Sequence, residues 1–386
     1  MNEKLSHTAM AIEPSGIRRF FSLANEMDDV ISLGVGEPDF KTAQNVRDEA
    51  IAKLQEGRTA YTPNAGLEEL RELIAARIYQ KSAVRYHPAN EIIVTSGSSQ
   101  ALDMTLRSII NPNDEILMIE PTYVAYKPLI ELAGGVPVVV PANPLTLRID
   151  IPAIEKQVTD KTKAILLCSP NNPTGITLNQ EELEALANIL EKYDLLAVLD
   201  EIYSDLIYDR DFTSLSQLQH MKQRCLVISG FSKGFSMTGW RLGYICAPQE
   251  ISEVLLKIQQ YTMMSAPTIA QYAAIEALKS SQDYVIYMKE KYKQRRDYLV
   301  KSLNELGLTC ALPEGAFYAF PSIQETGMTS EIFCEELLIH NRLAVIPGNV
   351  FGQSGEGHIR CSFAYSLTDL EKALVRLEKF LKERVT

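Results

Sequence analysis

Residues 225–244 read CLVISGFSKGFSMTGWRLGY, and the rest of the chain is best placed around them. The apolar run 225–228 predicts a short buried strand, which Gly230 breaks. Lys233 follows just past the strand end, and Arg241 comes eight residues later, after Gly239 and Trp240. Burial disfavours a charged amine, so a lysine in this position becomes the better nucleophile at neutral pH. That is the requirement for a Schiff base with an aldehyde cofactor such as pyridoxal phosphate. A guanidinium fork matches phosphate oxygens in pairs, which makes Arg241 a candidate for the cofactor's phosphate. The pair also reads as a strand-end lysine beside a surface arginine, and these residues alone leave both readings open.

The chain has 386 residues, enough for two domains with a large core. A net charge of -11 argues against nucleic acid or acidic membranes as the main partners. The first ten residues, MNEKLSHTAM, lack the apolar core of a secretory signal. No apolar run approaches the roughly 18–20 residues of a membrane span. The six cysteines (168, 225, 246, 310, 334, 361) form no C-x-x-C pair, which fits buried reduced thiols in a cytoplasmic protein. The five histidines form no ligand cluster, so no metal is expected.

Residues 1–30 predict a helix-bearing arm with EPSGIRRF at 13–20. A short strand over 31–36 ends in glycines, which allow close backbone approach to a ligand, and Glu37-Pro38-Asp39-Phe40 follows. Tyr61 opens YTPNAG, just before a helix with Leu67, Leu70, Leu73, Ile74 and Ile78 on one face. A strand at 92–95 leads into Ser96-Gly97-Ser98-Ser99 and a helix with Ala101, Leu102, Thr105, Leu106 and Ile109 on one face. Strand, small-residue turn and helix start make a phosphate seat: free N–H groups and the positive helix end face the anion, and the serines add hydroxyls. A capped helix start without ligand is the other reading.

Tyr123 follows the strand 115–119, where an aromatic ring can stack on a planar ligand or pack in the core. A strand at 163–168 ends in SPNNPTG (169–175), whose prolines hold Asn172 in a fixed turn. The run 195–199 closes with Asp200-Glu201-Ile202-Tyr203. A carboxylate at the end of a buried strand is costly unless paired with a cation, and a protonated pyridine nitrogen is such a cation. In parallel α/β sheets ligands sit outside the carboxyl ends of strands, so Asp200 and Lys233 would face one crevice. Seven short apolar runs between 92 and 246, mostly separated by helical stretches, give the βα alternation of a largely parallel sheet.

Helical pattern dominates 249–306. Beyond it, strand-like pieces at 316–320, 343–346 and 358–363 alternate with helices. The last helix is expected to open with a capping box of Thr368 and Glu371 and to bury Leu370, Leu374, Leu377 and Leu381. The expected organisation is an arm over 1–40, a large cofactor-binding domain over 41–290 and a small α+β domain over 291–386. Arg360 alternates out of a strand of that small domain, where it suits an α-carboxylate through two parallel bonds. A surface ion pair is the alternative.

Taken in order, LGVGEPDF, YTPNAG, NPTG (172–175), D-x-x-Y (200–203), S-K-x(5)-G-x-R (232–241) and GAFYAFPS resemble the class I/II aminotransferases. These are fold type I pyridoxal-phosphate enzymes, and the resemblance is closest to their PatA-like, aromatic or aspartate-type bacterial branch. It runs from Gly34 to Arg360 and implies an α/β fold with a seven-stranded, mostly parallel sheet. By resemblance, Lys233 carries pyridoxal 5'-phosphate and moves the proton. Asp200 holds the ring nitrogen, Tyr203 and Asn172 serve the phenolic oxygen, and Tyr123 lies on the ring. Gly97, Ser98, Ser99 and Arg241 serve the phosphate, with Ser232 or backbone amides in place of a further serine, and Tyr61 reaches the phosphate of a partner subunit in a homodimer. Gly36, Asn172 and Arg360 bind the substrate carboxylate. Many relatives carry a phosphate-bonding serine three residues before the lysine, where this chain has Gly230.

The implied activity is transfer of an amino group from an L-amino acid to a 2-oxo acid such as 2-oxoglutarate by ping-pong half-reactions. One branch of the family reads a distal carboxylate with an arginine where this chain places Tyr261, and another with a lysine where it has Ser99, before Gln100. The expected donor is therefore aromatic or bulky and neutral, although Arg18 or Arg19 of the arm could read a second carboxylate. A C–S β-lyase, or an aspartate or N-acetyl-diaminopimelate aminotransferase, shares the same constellation. A non-catalytic cofactor-binding sensor lacks support, because no DNA-binding extension is present.

Overall fold

The computed structural model describes residues 4–14, 16–17 and 27–384. After the two-residue β1 (Ile31–Ser32), seven strands build one sheet: β2 (Ile92–Thr95), β3 (Glu115–Glu120), β4 (Val136–Pro141), β5 (Thr162–Cys168), β6 (Leu196–Asp200), β7 (Cys225–Gly230) and β8 (Gly243–Cys246). Their spatial order is β2-β8-β7-β6-β5-β3-β4. From β4 through β7 every pairing is parallel. Strand β8 runs antiparallel to both β2 and β7. This is the α/β architecture the motifs implied, at the seven strands expected.

The strands are continuous apolar runs because both faces are covered. In β6, Ala197 and Leu199 pack into one core cluster while Val198 packs into the other. The first cluster takes Leu70 and Ile74 from the helix Glu68–Ser82 and Leu183, Leu186 and Leu190 from the helix Gln180–Lys192. The second takes Leu102 and Leu106 from the helix Gly97–Ile109 and Leu255 from the helix Gln249–Thr262. Edge strand β4 is largely exposed and contains Pro137 and Pro141, which a central strand would not tolerate.

The long helix Gln282–Glu305 leads to the second layer of strands. There β9 (Tyr318–Ala319), β11 (Ile346–Pro347) and β12 (Ile359–Ser362) form an antiparallel sheet, while β10 (Leu343–Ala344) pairs in parallel with β1. The strand expected over 343–346 is thus two strands, because the chain changes partner at Val345. The strand expected over 31–36 stops at Ser32, since its partner β10 is only two residues long.

The last helix spans Leu367–Arg384 and buries Leu370, Leu374 and Leu377 as expected, but its cap differs. Ser366, not Thr368, accepts from the Asp369 amide (3.1 Å) and donates to the Asp369 carboxylate (2.6 Å). The earlier hydroxyl reaches the free amides of the first turn, which leaves Thr368 inside the helix.

Candidate active site

The carboxyl ends of three adjacent strands deliver the central residues. Asp200 closes β6, Asn172 lies in the turn after β5, and Lys233 follows β7 by three residues. All three line one cavity of about 500 Å³, which Arg360 reaches from β12. This is the crevice position that a parallel sheet offers a ligand.

Asp200 is 4% exposed. Tyr126 donates its hydroxyl to Oδ2 at 2.8 Å, and the Ile202 amide donates to Oδ1 at 3.2 Å. Burial nonetheless dominates and pushes the carboxyl up to about 6; the Tyr126 bond, the Ile202 amide and the charge of Lys233 pull it back only in part. A fixed carboxylate that is short of a cation suits a protonated ring nitrogen.

The Lys233 ammonium donates to the Gly36 carbonyl at 2.7 Å and lies over the rings of Tyr203 (5.9 Å) and Phe317 (5.8 Å). Burial, with Arg360 and Arg241 adding to it and Glu37 and Asp200 opposing, brings its amine down to about 8. The free amine is therefore accessible close to neutral pH, as a nucleophile toward an aldehyde requires.

At the start of the helix Gly97–Ile109, a cation meets a row of free amides. Gly97 has φ +81, and a Cβ there would lie 2.7 Å from Nη2 of Arg241. A Cβ on Gly243 would lie 2.6 Å from the Ser98 amide nitrogen. Two glycines therefore let Arg241 and β8 close on the first helical turn, an arrangement suited to a phosphate. Arg241 itself adopts φ 53 and donates from Nη1 to the Thr238 carbonyl at 3.1 Å. Gly230 closes β7 against β8: a Cβ there would lie 2.9 Å from the Leu242 carbonyl oxygen. No side chain fits at 230, whereas Ser232, Ser98 and Ser99 all line the cavity.

Arg360 is 2% exposed. Nη1 donates to Oδ1 of Asn172 at 2.9 Å, and Nη2 donates to the Gly34 carbonyl at 2.6 Å. The buried Nε has no partner. The guanidinium is held between the rings of Tyr318 (4.4 Å) and Phe351 (4.8 Å). Tyr318 in turn shares a 2.8 Å hydroxyl contact with Tyr203, and a Cβ on Gly36 would fall 2.5 Å from the Tyr318 hydroxyl. A partly unsatisfied cation beside close-set backbone is a fitting receptor for a small carboxylate.

Tyr123 lines the cavity with its ring edge-on to Tyr126 at 5.5 Å. Tyr61 does not join this group; it is 82% exposed on the single chain, and Tyr261 is 91% exposed. Arg18 and Arg19 lie outside the described residues. Three contributors escaped the sequence reading: Tyr126 on Asp200, Tyr318 on Tyr203, and Glu37, the strongest charge opposing the fall in the Lys233 pKa. The one signal for Tyr126 was its place one helical turn after Tyr123. For Tyr318 and Glu37 it was membership of GAFYAFPS and LGVGEPDF.

The donor set fits each portion of pyridoxal phosphate: an anion seat, a carboxylate for a ring nitrogen, hydroxyl and amide donors, and an amine of lowered pKa.

Comparison with known proteins points the same way. The family model for aminotransferase class I and II matches residues 28–377. The chain is 53% identical over 382 residues to a putative aminotransferase, YugH, of Bacillus subtilis, covering 99% of both chains. It is 42% identical to an aspartate aminotransferase of Pyrococcus abyssi, covering 97% of each. Among solved structures, an aromatic aminotransferase from Pyrococcus horikoshii matches with a TM-score of 0.90 and 42% identity, over 95% of this chain and 99% of that one.

Proposed function

Because the chain belongs to the class I and II aminotransferases, which work with pyridoxal phosphate, we propose that it moves the amino group of an aromatic or bulky neutral L-amino acid to a 2-oxo acid such as 2-oxoglutarate. The observation that carries the donor preference is the allocation of positive charge. Among the described residues lining the cavity the cations are Lys233, Arg241 and Arg360. In this reading each is committed: Lys233 to the cofactor aldehyde, Arg241 to the phosphate and Arg360 to the α-carboxylate. None is left for a carboxylate on the donor side chain, while Ile17, Val35, Leu102, Tyr123 and Val124 supply apolar and aromatic lining.

When bound, pyridoxal phosphate supplies an electrophilic carbon and a ring that accepts electrons from the substrate α-carbon. The chain's own residues do the rest. Asp200 would hold the proton at the ring nitrogen, and Tyr126 keeps that carboxylate oriented. Arg360 occupies Oδ1 of Asn172, so the Asn172 amide nitrogen is left to donate toward the phenolic oxygen, with Tyr203 beside it. Arg360 and the Gly36 backbone orient the α-carboxylate. With substrate seated, the Lys233 amine would take the α-proton onto Nζ and hold it there as the general acid.

We keep the active unit as a homodimer, because Tyr61 is exposed and outside the cavity of its own chain, as a residue serving a partner's phosphate would be. The domain division at 40/41 and 290/291 and a cytoplasmic location belong to the same proposal. Among the described residues no helix is long and apolar enough to cross a membrane. The β-lyase reading is set aside, since the relatives named above are aminotransferases.

The test is a profile of amino donors with 2-oxoglutarate as acceptor. Turnover of phenylalanine or tyrosine above aspartate is expected. Strong aspartate turnover with none on phenylalanine or tyrosine overturns the donor assignment and leaves the aminotransferase assignment standing.

A further inference from the structure

Behind the Lys233 loop lies an ion cluster that the proposed chemistry does not use. Arg77 and Lys81 sit four residues apart on the helix Glu68–Ser82 and so project from one face. Arg77 Nη2 and Lys81 Nζ both bond Oδ1 of Asp205 at 2.5 Å, and Lys81 also donates to the Ser204 hydroxyl at 3.2 Å. The Asp205 side chain is only 10% exposed. Burial alone would raise its pKa, but Arg77 and Lys81 outweigh burial and hold it well below the usual carboxylate range.

The other carboxylate oxygen faces Gly234, the residue after Lys233. A Cβ on Gly234 would lie 2.8 Å from Cγ of Asp205, 2.7 Å from its Cβ, and closer still to Oδ2. All three nearest atoms belong to Asp205. Gly234 is not one of the glycines with positive φ, so backbone conformation does not demand glycine here; space does. Asp205 cannot easily yield that space. Its side chain is short, and moving it would break both of its largely buried ion pairs. The guanidinium of Arg77 also lies 4.8 Å from the ring centre of Phe235, which is buried. The cluster therefore touches both residues that follow Lys233.

We propose that Asp205, clamped by Arg77 and Lys81, is a positioning residue for Lys233. Its carboxylate is the surface on which the backbone of 233–235 rests, and residue 234 is glycine so that the two can touch. The inference rests on the reading that Lys233 carries the cofactor, and it adds what fixes that amine in place. Displacing a reacting group by about 1 Å lowers rates by about 10²-fold, so a methyl group at 234 should be felt at the amine.

The experiment uses the cofactor-loaded full chain. Gly234→Ala is expected to lower kcat by about 10- to 10²-fold with a much smaller change in donor KM. It should also move the pH midpoint of the bound cofactor's absorbance band by about half a unit or more, because the amine's surroundings change. Asp205→Ala, which removes the surface the loop rests on, should move the midpoint as well. The proposal is overturned if Gly234→Ala or a folded Asp205→Ala leaves midpoint and kcat unchanged. Should Gly234→Ala fail to fold, Asp205→Ala alone carries the test: a moved midpoint supports the proposal and an unmoved one overturns it. A Lys233→Ala protein that keeps the absorbance band overturns this inference and the site assignment together. Loss of the band in Lys233→Ala with a silent Gly234→Ala overturns this inference alone.

Discussion

The hydroxyl of Tyr126 donates to Oδ2 of Asp200 over 2.8 Å, joining a helix on one face of the sheet to the carboxyl end of β6. One neutral donor and one backbone amide are not enough to offset the burial of that carboxylate, whose pKa stands raised to about 6.

The first prediction follows from that shift. The folded chain keeps the Asp200 proton to a higher pH than the unfolded chain, so Asp200 takes stability away as pH rises from about 4 to 6, and the loss is complete above that. In cofactor-free protein at pH 7, Asp200→Asn should therefore be more stable than wild type by about 1–3 kcal/mol. With cofactor bound, the same variant should lose about 10²–10³-fold in kcat, since the ring nitrogen loses its counter-charge. Denaturant melts of the cofactor-free proteins and steady-state kinetics check the two halves.

Lys233 titrates with the opposite sign. Its folded-state value is lowered to about 8, below the ordinary 10.5, so between those values the unfolded chain holds more protons and stability rises with pH. Cofactor-free Lys233→Met should lack this rise and should be more stable than wild type at pH 7. In wild type, reaction of the amine with an aldehyde reagent should increase through pH 8. A midpoint near 10.5 would contradict the burial argument.

Arg360→Lys keeps the charge and loses the fork. A lysine cannot serve Asn172, Gly34 and a carboxylate at once from one nitrogen. The expected result is a fall of about 10²-fold in kcat/KM for every amino donor, the worth of a charge-assisted pair of bonds. Donor kinetics measured on several amino acids check that the loss is uniform, as it must be for a group that reads the portion they share.

Gly97→Ala adds a methyl group 2.7 Å from Nη2 of Arg241 at a backbone position with φ +81. The strain should cost about 1–3 kcal/mol of stability. Displacing Arg241 should weaken cofactor binding by about tenfold or more, one charge-assisted bond. Cofactor titration of the variant, followed by absorbance, measures it.

Lys233, Asp200, Asn172 and Arg241 were legible because each stands where an apolar run stops, or in a turn fixed by glycine or proline. Strand count and βα alternation were legible for the same reason: runs buried on both faces leave no polar residues to confuse the period. Tyr126 was not, because on its helix it reads as any amphipathic core residue. The Arg77–Asp205 contact joins positions separated by 128 residues, a distance no local pattern spans. The break at Val345 was hidden because both halves are apolar and only their partners differ. The proposed donor preference rests on side chains such as Ile17, Val35 and Tyr123, which arrive from separate elements and mean nothing until those elements meet.

The bonds from Lys233 to Gly36 and from Arg360 to Gly34 have a consequence for biosynthesis. The strands of the large sheet end at residue 246 and the covering helix that carries Leu255 ends at Thr262, so the sheet can form on the ribosome while the remainder is still being made. The pocket cannot: it waits for residue 360 to leave the exit tunnel and trap a segment translated more than three hundred residues earlier. Nascent chains stalled before that point should be protease-resistant across the sheet and still unable to retain the cofactor.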